Sequence, residues 1–306
     1  MRKLVVAQYL LTFREVLEAS LLTAIILSYL VMTGRTGMKR YAWYGISVAL
    51  TVSLLLGVFI FLLYGGLSEA NRVLFEGVAA LVAVAVLTSM LFWMAIRART
   101  MKSRIQGRVE AAATHGALLG VAAVTFILVF REGLETVLFL TPFMVQDVAG
   151  TILGVVLGVG TGVGLSYAVF HFGVRLDLRK FFFFTSILLI ILAGGLFGYA
   201  IHELMKYAAI QGVDIGWWGQ AAYILPFSEG SLLHNKGLIG SIFAVLVGYD
   251  IDPEWGRVFA HFLYLAVTLP LVIFIYARPD AVAMLGARLQ RIRRSLVLRG
   301  RAPQEE

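Results

Sequence analysis

Phe13-Arg14-Glu15-Val16-Leu17-Glu18 and Phe130-Arg131-Glu132-Gly133-Leu134-Glu135 are two copies of one hexapeptide, identical at five of six positions. Each sits inside a long apolar stretch, 4–32 and 117–143. Arginine and glutamate are expensive in lipid, so their repetition in the same order marks a functional feature. Five more stretches reach the ~20 apolar residues that a spanning helix needs. They are 42–64, 73–96, 150–172, 182–205 and 257–276, which predicts seven transmembrane helices. Because the second copy lies three spans after the first, it runs through the membrane in the opposite direction. That is the pattern of a 3+3 inverted repeat, whose substrate site lies near the midplane between the halves. Repeat one covers about 4–96 and repeat two about 117–205. An external loop, 206–256, precedes a seventh helix, and a basic tail, 277–306, follows it.

Composition agrees with an all-α integral membrane protein. Of 306 residues, 60% are hydrophobic and 14% charged, against ~25% charged in ordinary soluble domains. A mean hydropathy of +0.87 excludes a soluble enzyme, a disordered regulator and a nucleic-acid-binding module. The absence of Cys excludes disulfides, thiolate metal ligands and cysteine nucleophiles. The net charge of +8 follows from topology. The segments 33–41, 97–116, 173–181 and 277–306 hold eighteen Lys and Arg, and the opposite side holds five, with Arg257 at a boundary. Positive charge accumulates on the cytoplasmic side, which predicts an outside N-terminus and an inside C-terminus in the cytoplasmic (inner) membrane. The first stretch is too long for a signal-peptide core and carries Arg14, Glu15 and Glu18, so it is expected to remain in the mature protein.

At about 100° per residue, Arg14 at 0° places Glu18 near 40° and Glu15 near 100°. The same holds for Arg131, Glu135 and Glu132. Each helix thus directs two carboxylates to one side, with a guanidinium orienting the i+4 glutamate. Two such faces would gather Glu15, Glu18, Glu132 and Glu135, oriented by Arg14 and Arg131. Four carboxylates in a low-dielectric setting repel one another, so the set should share protons or hold a cation. All-oxygen ligation suits a hard ion, and a formal charge of minus two matches a highly charged one. The alternatives are transport of a divalent metal through the same site, a proton relay, structural stapling of helices, and an intramembrane acid–base enzyme. Duplication of the motif argues against the enzyme, and no catalytic residue or permanently bound cofactor is expected.

On these motifs the sequence resembles the oxidase-dependent ferric iron permease family. The likeness extends to Phe75-Glu76-Gly77 with Leu81, Ala83, Leu87, Thr88, Met90, Trp93 and Met94 in the third span. It continues through Ala193-Gly194-Gly195-Leu196, His202-Glu203-Leu204 and Gly248-Tyr249, with Pro226-Phe227-Ser228-Glu229-Gly230-Ser231 a looser match in the external loop. The resemblance implies inward transport of iron(III), delivered by an external ferroxidase or iron-delivery protein.

Glu76 and Glu203, near the outer ends of their spans, read as an outer approach site met before the four glutamates. Gln8 shares the face of Glu15 and is a candidate lining residue. His202, His261 and Tyr264 read as interfacial or packing groups. Gly154, Gly158, Gly160, Gly162 and Gly164 follow the small-residue spacing that brings helices close. Asp250, Asp252 and Glu254 read as a solvated loop, and 231–247 as a surface or re-entrant helix.

Overall fold

A computed structural model describes residues 5–97, 101–114, 118–171, 178–228, 231–234, 239–240, 243–244 and 248–278. Among these residues are eight α-helices and no strand beyond one isolated bridge, Ala221–Glu254. The helices are α1 (Val5–Met32), α2 (Lys39–Gly65), α3 (Glu69–Arg97), α4 (Met101–Thr114), α5 (Leu118–Met144), α6 (Val148–His171), α7 (Leu178–Ile210) and α8 (Trp255–Ala277). Six of them, α1, α2, α3, α6, α7 and α8, are long and apolar enough to cross a membrane. With 27 residues α5 has the length, but Arg131, Glu132 and Glu135 set it apart from a purely apolar span. Large apolar side chains such as Leu54, Leu62 and Leu119 point outward from the bundle. So broad an apolar surface is stable only against lipid, and the protein is a multi-pass membrane protein.

The bundle is assembled from helix pairs. α1 packs along α6, α2 along α5, α3 along α7, and α8 closes against α7 and α3. Leu87 and Leu91 of α3, Leu189, Ile190 and Ala193 of α7, and Val272 and Tyr276 of α8 share the largest apolar core. In α1 the usual pattern is inverted. Gln8, Thr12, Arg14, Glu15 and Glu18 are buried, because lipid tolerates only the apolar face. The helix stops in a Schellman turn. Gly34, at φ +71°, donates to Val31 O, and Arg35 N donates to Leu30 O at 2.9 Å. Gly212, at φ +80°, ends α7 in the same way.

Glycine spacing sets how closely the pairs approach. A Cβ on Gly154 would lie 2.6 Å from Gln8 Cβ, 3.0 Å from Tyr9 N and 3.1 Å from Val5 O. On Gly158 it would lie 2.8 Å from Thr12 Cβ, and on Gly162 2.9 Å from Val16 Cγ1. Successive turns of α6 therefore meet successive turns of α1 in the same order, and the two helices run parallel. Gly160 and Gly164 face open space, so only three of the five glycines serve packing, contrary to the spacing argument. They occupy the lipid-facing side of the same helix.

The basic segment 97–116, read from sequence as a loop, contains α4. Ile105, Val109 and Ala113 form one apolar stripe buried against Leu22, Ile26 and Leu30 of α1 and Val121 of α5. Short length and low overall hydropathy hid this helix, although its stripe has the i, i+4 spacing of an amphipathic surface helix. The stretch 231–247 and the tail from 279 onward lie largely outside the described residues.

Candidate metal centre between the two motif helices

The two hexapeptides meet where α1 touches α5. Glu15, Glu132 and Glu135 each place a carboxylate oxygen within 4.8 Å of the others'. Glu18, expected as an equal fourth member, stands outside this trio. Its side chain lines a cavity of about 260 Å³ together with Glu132. All four glutamates are buried, and Glu15 Oε2, Glu132 Oε2 and Glu135 Oε2 have no hydrogen-bond partner, whereas Glu18 Oε1 is ion-paired with Arg14. Buried carboxylate oxygens are seldom left in this condition, because desolvation without compensation is costly. The donor set suits a hard cation, which takes oxygen ligands.

The arginines take the expected positions on their own helices. Arg14 Nη2 lies 2.8 Å from Glu18 Oε1, and Arg131 Nε lies 2.8 Å from Glu135 Oε1, each an i,i+4 pair. Arg14 reaches further, to Glu15 Oε1 at 2.6 Å, so it holds both glutamates of its motif. Its side chain is 2% exposed, whereas that of Arg131 is 39% exposed. The difference comes from α3. Arg14 donates to Met90 Sδ at 3.0 Å and Met94 Sδ at 2.7 Å, while the Arg131 guanidinium lies 4.5 Å from the centroid of the Trp93 ring. One turn of α3 thus secures both motif arginines with uncharged, polarisable groups that do not compete with the glutamates for charge. Sequence reading matched these three residues by resemblance and assigned them no role. The signal was present: Met90 and Met94 are four residues apart on one face of a helix, with Trp93 beside them.

Glu76 and Glu203 belong to a different level. Glu76 accepts from Tyr64 Oη at 2.6 Å and from Tyr199 Oη at 2.5 Å. Glu203 is buried, with Lys206 Nζ 3.5 Å from its Oε2 and His202 Nε2 3.8 Å from its Oε1. Along α3, Glu76 precedes Met90 by fourteen residues, or about 21 Å of helix. The two phenols were missed from sequence, since they lie on α2 and α7 and meet Glu76 only in the folded bundle.

Gln8 lies against α6, where its Nε2 donates to Thr151 Oγ1 at 3.3 Å and its Oε1 is unpartnered. His261 is buried at the α7–α8 contact, and Tyr264 Oη lies 2.7 Å from Thr88 Oγ1, both packing positions as expected. The acidic loop is less open than expected. Asp250 pairs with Arg257, and Glu254 Oε1 lies 2.8 Å from His202 Nδ1. Burial disfavours the ionised form of Glu254, but the His202 hydrogen bond and the nearby positive charge outweigh it and hold its carboxyl below the usual carboxylate range.

Comparison with known proteins places the chain in a family. Over 271 residues the chain is 38% identical to an uncharacterized protein of Archaeoglobus fulgidus, covering 89% of this chain and 95% of that protein. Over 278 residues it is 34% identical to the ferrous iron permease EfeU of Yersinia pestis, covering 90% of this chain and 94% of that protein. The match to the ferrous iron permease EfeU of Escherichia coli O6:H1 is also 34% over 278 residues, covering 90% and 96%. No solved structure matches the chain. Residues 5–278 match the Iron permease FTR1 family, and the chain belongs to that family.

Proposed function

We propose that this protein imports iron across the cytoplasmic membrane through a site built from Glu15, Glu18, Glu132 and Glu135. The observation that carries the reading is the buried carboxylate trio, which places one oxygen of each residue within 4.8 Å of the others'. Glu15, Glu132 and Glu135 form the inner holding set, and Glu18 leads from it to the cavity. Arg14 and Arg131 orient the carboxylates and limit the net charge. Ferric iron is the proposed cargo, because an all-oxygen, multiply charged set favours a hard trivalent ion. An external ferroxidase or iron-delivery protein would supply it. Ferrous iron is the second reading, favoured by the names of the relatives in Yersinia pestis and Escherichia coli.

The transport frame proposed is seven spans, the six apolar helices plus α5, in a 3+3 inverted repeat with the N-terminus outside. Helix contacts support the repeat. Gly154 of α6 meets Val5 O, Gln8 Cβ and Tyr9 N of α1, and Gly45 of α2 meets Ala122 O, Thr125 Cβ and Phe126 N of α5. The displacement that carries Arg14 onto Arg131 carries each of the first three residues onto one of the second three. About two turns further along, the roles of small and large residue exchange: Gly162 faces Val16, and Gly133 faces Ser53. Since α6 is parallel to α1 and follows α5 after the short turn Val145–Asp147, α5 runs against α1. Glu76, about four helical turns along α3 from Met90, and Glu203 form an outer waiting site in this scheme.

Purified protein in proteoliposomes tests the reading. Iron is offered outside either as a weak ferric chelate or as ferrous iron kept reduced with ascorbate, with manganese and zinc in parallel vesicles. Uptake confined to the ferric arm and lost in Glu132→Gln is the expected result. Uptake confined to the ferrous arm would overturn the oxidation state alone. Equal manganese or zinc uptake would overturn iron selectivity, and normal uptake by Glu132→Gln would overturn the site.

A further inference from the structure

The cavity beside the carboxylates has walls unsuited to a simple cation exit. Glu18 and Glu132 lie on it, but so do Arg131 of α5 and Arg104 and Arg108 of α4. Arg104 and Arg108 are four residues apart and exposed on the same side of a short helix whose other stripe is buried. Like charges at this spacing destabilise an isolated helix, so their convergence on one cavity calls for a compensating charge. A cation leaving Glu132 through this mouth meets three guanidinium groups, of which Arg131 is paired with Glu135 and Arg104 and Arg108 are exposed and repel it. The positive-inside tendency accounts for arginines in this segment. It does not account for their meeting an intramembrane arginine around a single cavity.

We propose that this cavity is an anion-binding vestibule, holding a small ligand with clustered carboxylate or phosphate oxygens beside the iron site. Guanidinium groups bind such oxygens in planar, paired fashion, and three of them around about 260 Å³ match a compact polyanion. Bound there, the anion neutralises the arginines and offers hard oxygen ligands to a metal ion released by Glu132 and Glu18. The vestibule is therefore an acceptor site: the cation is exchanged from protein carboxylates to anion oxygens that also neutralise the arginines around it. Trp93, under the Arg131 guanidinium, fixes one wall of it. The acceptor role rests on the iron-transport reading; the anion site does not.

The test begins with iron-free protein in nanodiscs of phosphatidylcholine, titrated calorimetrically with citrate. Saturable binding is expected, weakened roughly tenfold or more in Arg104→Gln/Arg108→Gln, since charge-assisted hydrogen bonds to the anion are lost. Arg104→Lys/Arg108→Lys should keep part of the affinity, and an unchanged thermal midpoint shows that the variants are folded. The titration is repeated in phosphatidylglycerol nanodiscs. Citrate binding that survives assigns the site to a free anion; binding displaced there assigns it to a lipid headgroup. No arginine-dependent binding in either disc overturns the vestibule. Proteoliposomes loaded with citrate or chloride then test the acceptor role. Citrate inside should accelerate iron uptake several-fold by the parent and much less by the double Gln variant, although chelation in the lumen is identical. Equal acceleration in both overturns it. Citrate binding without any iron uptake would sink the transport reading and leave the anion site standing. Normal uptake with no citrate effect and no binding would do the reverse.

Discussion

The two motif copies share five of six residues, yet one is closed in and the other is open. Arg14 holds both glutamates of its helix and is itself held by Met90 and Met94, with almost no exposed surface. Arg131 holds one glutamate, lies on the face of Trp93 and borders the cavity. An internally repeated sequence therefore does not produce two equivalent half-sites. The third helix passes both arginines at one level, and what it presents to each differs. Copy one is built as a fixed scaffold, and copy two stands at the opening.

Breaking the carboxylate set should have the largest effect and should not distinguish the copies. Glu18→Gln and Glu135→Gln are each expected to reduce iron uptake to background while leaving the protein in the membrane, measured as radio-iron uptake by proteoliposomes. Near-normal uptake by either would remove that residue from the site. The arginines should separate the copies. Arg14→Ala leaves two buried carboxylates without their counter-charge, and breaking a buried pair costs about 3–5 kcal/mol. Arg131→Ala, beside solvent, should cost less than half as much in thermal unfolding of the detergent-solubilised protein. Arg14→Lys should fail in transport, because a point charge cannot span Glu15, Glu18 and two sulfurs. Equal losses from the two alanine variants would show the copies to be equivalent after all.

Smaller effects sharpen the contrast. Gly158→Ala places a methyl 2.8 Å from Thr12 Cβ and should destabilise the α1–α6 contact by about 1–3 kcal/mol, while Gly160→Ala, facing open space, should not. Met90→Leu/Met94→Leu keeps the volume and removes two acceptors, so about 1–3 kcal/mol should be lost at Arg14 and nothing at Arg131. Trp93→Leu should have the opposite pattern, which double variants with each arginine would reveal as coupling. Least severe should be changes at the Glu76 and Glu203 level. Glu76→Gln or Glu203→Gln should weaken the apparent affinity for iron with maximal uptake still measurable. Loss of transport at every iron concentration would move Glu76 into the central site.

Much of this was legible in the sequence because it depends on spacing along one chain. Arg14 and Glu18 share a helix face by the geometry of a 3.6-residue turn, and so do Arg131 and Glu135. Both pairs are found at 2.8 Å. The span limits at α1, α2, α3, α6, α7 and α8 follow the apolar runs within a few residues, since a lipid core leaves backbone groups no partner except their own helix. α4 escaped because its apolar stripe is only three residues long and gains meaning from the α1 and α5 surfaces it covers.

Residue types, their order and the helical period determined that this chain is a membrane bundle with two Arg-Glu-x-x-Glu faces, each directing two glutamates to one side of its helix. Which glutamates gather, and what holds each arginine, was decided by tertiary structure. Glu15 joins Glu132 and Glu135 while Glu18 turns to the cavity, and Met90, Trp93 and Met94 divide the two arginines between them. The physical reason is that helix formation in lipid is local and obligatory. The relative rotation and depth of neighbouring helices instead depend on close packing between residues far apart in the chain, such as Gly154 against Gln8 and Gly45 against Thr125.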